Sequence, residues 1–273
     1  MNNCVYCGKT ETPLTREHLF PQSLFQLIVK PEVTSHYFSE RIPSKFTEGE
    51  LTVKDVCAKC NNGVLSELDE YQTKWAQKHA DKFFFRGESI VMSYEYDTML
   101  RWMLKFAFNS ARVHNAADTN LLMRFRGYML GRAKRPARIR LSTGLIHSFI
   151  PTTPEEIAAV GDKPLHPDLM RSSVMMVNFT SKYVFSVRRV SLAAFAFLVV
   201  AFEPSAPASE LKSLTTLIDR EYPGFRVLSP TESTCKLIAS FENAVEHLRD
   251  YAILQGIPYK TLFHEFQRKR RKI

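Results

Sequence analysis

Cys4-Val5-Tyr6-Cys7 and Cys57-Ala58-Lys59-Cys60-Asn61-Asn62-Gly63 bracket the stretch Thr15-Arg16-Glu17-His18-Leu19-Phe20-Pro21, and this arrangement decides how the start of the chain is read. Each Cys-x-x-Cys pair can chelate an ion through two thiolates, and two such pairs brought together complete a tetrahedron around Zn²⁺. A four-thiolate site is closed to further ligands, so it contributes folding free energy and leaves the chemistry to other residues. Of the five cysteines only Cys235 is left over, and it reads as a small buried apolar residue. Paired spacing of this kind belongs to a reduced compartment, not a disulfide scaffold. No basic-then-apolar leader opens the sequence, so the expected location is the cytoplasm.

Working outward, the chain has 273 residues, 45% of them hydrophobic and 24% charged, with a formal net charge of +9. That composition excludes a disordered chain, and no apolar run is long enough to span a bilayer. The length suits a small module joined to a larger domain. Residues 1–80 are turn-rich and cysteine-bearing, whereas residues 81–273 carry longer periodic elements. Apolar residues at Val64, Leu65, Leu68, Tyr71, Trp75 and Ala76 predict a helix over 62–80 that begins just after Cys60 and Asn61. Leu14 to Phe20 and Leu51 to Val56 predict a two-stranded ribbon, with 21–50 as an irregular excursion. Further on, Thr98 to Val113 predicts an amphipathic helix. Strands are expected over Val174 to Val187 and Val190 to Phe202, and helices over 208–221 and 241–255. The expected fold class is α+β: a zinc-tied N-terminal module followed by a mixed α+β C-terminal domain.

A cysteine pair, then an acidic-His dipeptide followed by x-x-Pro, then Cys-x-x-Cys-Asn resembles the HNH endonuclease family, the ββα-metal nucleases. The resemblance covers about residues 4–70. It implies a divalent-metal-dependent nuclease that hydrolyses DNA phosphodiester bonds. His18 would be the general base, Glu17 and Asn61 would hold a catalytic Mg²⁺ or Mn²⁺, and Cys4, Cys7, Cys57 and Cys60 would hold the structural Zn²⁺. The chemistry is consistent with this, because the reaction needs a base for water and a cation against the charge that grows on phosphate. A carboxylate and an amide oxygen suit a hard ion. Neighbouring side chains on a strand point to opposite faces, so Glu17 and His18 meet at one site only where the strand is distorted or sits at an edge. The sequence also departs from the family pattern. Glu17 replaces the more usual Asp, Asn61 stands where His is frequent, and no Asn lies between His18 and Cys57. Thr52 occupies roughly the place of that middle Asn, so Thr52 or a backbone carbonyl must fix the tautomer of His18. Asn61 and Asn62 also suit the start of a helix. Glu67, Asp69 and Glu70 read as a solvated face, with Glu67 or Glu70 the ones that would turn toward an ion. His36 reads as a loop residue.

Arg16, Lys54 and Lys59 lie in or beside the ribbon, where they would hold phosphates. A longer stripe carries Arg124, Arg126, Arg132, Lys134, Arg135, Arg138 and Arg140 without an acidic residue, and would extend the track. Arg268 to Lys272 form a second basic run. DNA is therefore the expected partner, with no membrane. Compact HNH proteins of bacterial antiviral defence systems and mobile elements add, by analogy, a partner protein. The alternative is a zinc-ribbon module that binds nucleic acid or protein and carries a degenerate nuclease site. What separates the two is the joint presence of Glu17, His18 and Asn61, which a binding module does not need.

Overall fold

A computed structural model describes residues 3–10, 13–28, 36–38, 46–48, 52–167, 170–240 and 242–247. The chain opens with a cysteine turn, followed by β1 (Leu14–His18), α1 (Gln22–Ile28), β2 (His36–Phe38), β3 (Phe46–Glu48) and β4 (Thr52–Cys57). α2 (Ala58–Cys60), a π-helical turn (Asn61–Leu65) and α3 (Ser66–His79) then form one helical run. It starts before residue 62, because Cys57 already leaves the strand with extended backbone and the helix begins at Ala58. Gly63 departs from helical geometry and marks a kink. The expected β1–β4 ribbon is present and antiparallel. The stretch 21–50 is not wholly irregular, since it contains α1 and the β2–β3 hairpin.

After β5 (Ser89–Ser93), α4 (Tyr96–His114) matches the amphipathic helix read from Thr98 to Val113, and it ends on Asn115 in the left-handed conformation (φ 50°). Two short helices, α5 (Thr119–Met123) and α6 (Arg126–Met129), lead to β6 (Ile139–His147), α7 (Pro154–Val160) and β7 (Met170–Val174). Next come β8 (Phe185–Leu192), β9 (Phe195–Phe202), α8 (Ala208–Glu221), β10 (Arg226–Val227), β11 (Thr234–Ile238) and β12 (Glu242–Asn243). β11 pairs antiparallel with β5. The strand expected over Val174 to Val187 is instead the end of β7, a connection, and the start of β8. The strand expected over Val190 to Phe202 contains the turn of the β8–β9 hairpin at Ala193-Ala194, where Ala193 takes φ 49° without the glycine or asparagine that would signal it. The helix expected over 208–221 is α8. That over 241–255 lies mostly outside the described residues; of those described, 242–243 are β12 and 244–247 are helical.

The main sheet runs β10-β6-β9-β8-β7 antiparallel, with β12 parallel to β6. Every residue of β9 is buried. Phe195, Phe197, Val199 and Ala201 face α3, α4 and the cysteine region, while Ala196, Leu198, Val200 and Phe202 face α8. Burial on both faces is why β9 reads as an unbroken apolar run instead of an alternating one. The first of these clusters joins Cys4, Tyr6, Cys57, Cys60 and Leu65 to Trp102, Phe106 and Phe197, so one core crosses residue 80. At its centre Trp75 packs on Phe195 and Trp102 at centroid distances of 5.0 and 5.7 Å, and the Trp102 indole donates to Gln72 at 2.7 Å. The architecture is mixed α+β. Among the described residues no helix is long and apolar enough to cross a membrane.

A buried ion pair ties the start of α5 to the sheet: Arg188 donates to both carboxylate oxygens of Asp118 at 2.7 and 2.6 Å, and Ser186 adds a third bond. Burial alone would raise the Asp118 pKa, but Arg188 and Ser186 outweigh it and lower it. Asp118→Ala strands a buried guanidinium, and urea unfolding is expected to show a loss of about 3–5 kcal/mol. Two buried histidines add an acid dependence. Burial pushes both His79 and His247 down to about 4, with neighbouring cations acting in the same direction. The folded state thus favours their neutral forms, so their contribution to stability is fully present above pH 6.5 and is lost as pH falls toward 4. Melting temperatures across that window should fall, and less steeply in His79→Gln.

Candidate functional site

The first cysteine pair sits on a tight turn closed by the Gly8 amide donating to the Cys4 carbonyl at 2.8 Å, and the Val5 amide fastens this turn to the Asp55 carbonyl of β4 at 3.0 Å. Cys57 ends β4 and Cys60 closes α2, so ribbon and helix deliver the other two thiols. All four Sγ atoms lie within 4.8 Å of one another, and Cys7 and Cys57 are 3.7 Å apart. A tetrahedron with Zn–S of about 2.3 Å has edges of about 3.8 Å, so the spacing fits zinc and is far too long for a disulfide. Burial raises the Cys57 thiol, yet the Cys60 amide and the neighbouring thiols prevail and bring it down to about 7. Burial raises Cys4 and Cys60. Four thiols this close ionise together only around a cation, and this set can hold a structural metal such as zinc. Among the described residues no other group of His, Cys, Asp and Glu converges in this way.

His18 and Glu17 diverge. The ribbon is distorted, but the register shift falls between Thr15 and Arg16, ahead of the dipeptide. Arg16 and His18 therefore share one face of β1, opposite Lys54 and Thr52 of β4, while Glu17 faces the other way opposite Val53. His18 is half-buried, and Glu17 is only 4% exposed. The Glu17 carboxylate meets Lys105 of α4, whose Nζ lies 2.9 Å from Oε1, and the Asn109 amide, which donates to Oε1 at 3.2 Å. Asn61 is tied back to the ribbon: its Nδ2 donates to Thr15 Oγ1 at 3.0 Å and to the Arg16 carbonyl at 2.9 Å. That fixes the amide orientation and leaves Asn61 Oδ1 clear of these contacts. Of the acidic residues on α3, Asp69 is the one turned inward, 2.6 Å from Lys105 Nζ, whereas Glu70 pairs with Lys74 on the surface.

Lys105 is 2% exposed and bridges Glu17 and Asp69, with the Leu65 carbonyl at 3.4 Å. Burial depresses its pKa, but the Asp69 and Glu17 carboxylates more than offset this and hold it above the ordinary lysine value. The Asp69 pKa is also raised, by burial first and by the Glu17 charge, because one ammonium is shared between two carboxylates. One helical turn on, Asn109 takes a hydrogen bond from the Tyr6 hydroxyl at 2.6 Å, and Arg112 pairs with Asp55 of β4. Lys105, Asn109 and Arg112 were not singled out from the sequence. Their signal was there, as polar residues at i, i+4 and i+7 on a helix whose inward residues are otherwise nearly all apolar.

The basic stripe is not one track. α6, a turn and β6 divide it, and acidic residues distant in sequence neutralise part of it. Arg124 lies 3.8 Å from Glu203, Arg135 3.3 Å from Asp97, and Arg140 2.6 Å from Asp219, while Arg138 donates to the Ala206 carbonyl at 2.5 Å. Arg132 and Lys134 are exposed, and Arg126 reaches the Val5 carbonyl of the cysteine turn at 3.5 Å. Arg124 and Arg126 also line a shallow depression with Met123 and Pro204. Arg16, Lys54 and Lys59 are exposed beside the ribbon. Cys235 is half-buried on β11 instead of buried, and the side chain of His36 and the run Arg268 to Lys272 lie outside what is described. No protein-family model, curated protein or solved structure matches the chain.

Cys57→Ser is expected to lose the metal and lower the melting temperature sharply, read by zinc content and calorimetry on one preparation. Lys105→Met would leave Glu17 and Asp69 without their cation, and a loss of about 3–5 kcal/mol in urea unfolding is expected. Restoring part of that loss by adding Glu17→Gln would identify the carboxylate as its source.

Proposed function

We propose that the chain is an HNH-type endonuclease, in which a zinc-tied ribbon and helix carry a divalent-metal-dependent site for cutting DNA. The observation that carries this reading is the outer face of the β1–β4 ribbon. There His18 lies two residues from Arg16, and Arg16 is directly opposite Lys54. Like charges facing each other across a ribbon are unfavourable, so the pair is best accounted for by an anionic partner, and phosphate is the anion that a neighbouring base would act on. Lys59, exposed on the first helical turn, adds a third cation.

His18 is the proposed general base that takes the proton from water. Asn61 through Oδ1 is the proposed holder of Mg²⁺ or Mn²⁺ on the His18 face, and Glu17, turned to the opposite face against Lys105 and Asn109, would join it as second ligand by leaving those partners. When bound, that ion supplies positive charge against the phosphate and the leaving oxygen. Arg16, Lys54 and Lys59 position the backbone. Arg132 and Lys134 are the members of the longer stripe best suited to extend the contact, since Arg124, Arg126, Arg135, Arg138 and Arg140 have partners within the fold. A defence or mobile-element role with a partner protein remains the associated proposal for its setting, and rests on analogy. One observation favours a second reading. Glu17 is buried and already paired with an ammonium, as suits a zinc-ribbon binding module that has lost its catalytic ion.

Cleavage of supercoiled plasmid with Mg²⁺ or Mn²⁺, beside His18→Ala and an EDTA control, separates the two. Nicking or linearisation by wild type alone, with zinc retained in both proteins, is expected. Equal cutting by His18→Ala removes His18 as the base, and zinc-loaded wild type that binds DNA without cutting it favours the binding module. Replacing Arg16, Lys54 and Lys59 together by alanine is expected to flatten the dependence of log Kd on log salt by up to about three phosphate contacts.

A further inference from the structure

We propose that Asn109, on a helix outside the cysteine module, is the positioning residue of the Glu17-His18 pair. This rests on the nuclease reading for its consequence and on the hydrogen bonds of Asn109 for its geometry. Asn109 is 1% exposed and has Phe108 and Ala111 as buried neighbours on α4, so an unpaired amide there would be costly. It is fully used. Its Oδ1 accepts from the Tyr6 hydroxyl at 2.6 Å and from the Arg112 guanidinium at 2.5 Å. Its Nδ2 donates to Glu17 Oε1 and to the His18 carbonyl, each at 3.2 Å. Two donors on one side and two acceptors on the other favour one orientation of the amide, because a flip would set oxygen against oxygen twice, at Glu17 and at the His18 carbonyl, and N–H against the Arg112 N–H.

The consequence for the site is directional. Holding the His18 carbonyl fixes the peptide plane at the end of β1, and with it the direction in which the imidazole leaves the ribbon. The same amide keeps the Glu17 carboxylate turned to α4. Asn109 touches the backbone of His18 and not its ring, so it acts through that residue. Its own orientation depends on Tyr6, which lies between Cys4 and Cys7, and on Arg112, which is held by Asp55 of β4. The cysteine turn, the ribbon and α4 thus meet at one amide. It supplies a fixed side-chain contact to the pair from the second part of the chain.

The test compares wild type with Asn109→Leu, which keeps the size and loses the donors, and with Asn109→Ser, which is gentler on packing. Single-turnover cleavage of bound DNA separates the active fraction, read as amplitude, from positioning, read as the rate constant. The rate constant is expected to fall about 100-fold in both variants, with amplitude, zinc content and DNA affinity retained. The His18 ring signals in ¹H–¹³C NMR, single and sharp in wild type, should broaden or split in the variants. A folded, zinc-loaded variant with an unchanged rate constant overturns the inference and leaves the nuclease reading standing. Loss of zinc or of the fold in both variants overturns it also, by making Asn109 structural. If wild type does not cut, the nuclease reading fails, and the ring signal alone decides: broadening upholds the positioning and an unchanged signal overturns it.

Discussion

The structure depends on four thiols that must lie within a few ångströms of one another. A strand as short as β1 and a ribbon of two strands are not stable alone in water. Closing Cys4 and Cys7 onto Cys57 and Cys60 fixes the end of β4, the start of the helical run and the turn that carries Tyr6. Because these thiols cannot all ionise without a cation, a metal held by them would couple its binding to the folding of this part. Everything placed relative to the cysteines, including the Arg16, His18 and Lys54 face, inherits its position from that closure.

The second constraint is α4. A 19-residue helix with a largely apolar buried face carries Lys105, Asn109 and Arg112 along one line, the first two meeting Glu17 of β1 and the third Asp55 of β4. Lys105 is shared between Glu17 and Asp69, Asn109 holds the Glu17 carboxylate and the His18 carbonyl, and Arg112 pairs with Asp55. A buried charge of one sign is tolerable only with its partner, so these contacts fix the register of α4 against β1 and β4 more sharply than apolar packing alone would. The site is therefore built by the whole core and not by residues 1–80 alone.

Much of this was legible in the sequence. The cysteine spacing gave the thiol cluster, alternation gave β1 and β4, and helical periodicity gave α4 and α8, because each of these follows from local pattern. The β8–β9 turn was hidden, since Ala193 carries none of the usual marks of a left-handed residue and sits inside an apolar run. The fate of Glu17 was hidden as well. Strand parity shows that it opposes His18, but not that a lysine some ninety residues later waits on that face. The pairing within the basic stripe was hidden for the same reason, because Glu203, Asp97 and Asp219 are distant in sequence and reach it only in the fold.

The central claim is that the two cysteine pairs share one metal that closes the ribbon onto the helix. Zinc K-edge absorption on the purified protein tests it most directly. The account predicts one zinc per chain with four sulfur neighbours at about 2.3 Å. Nitrogen or oxygen ligands in that shell, or a folded protein free of metal, would contradict it.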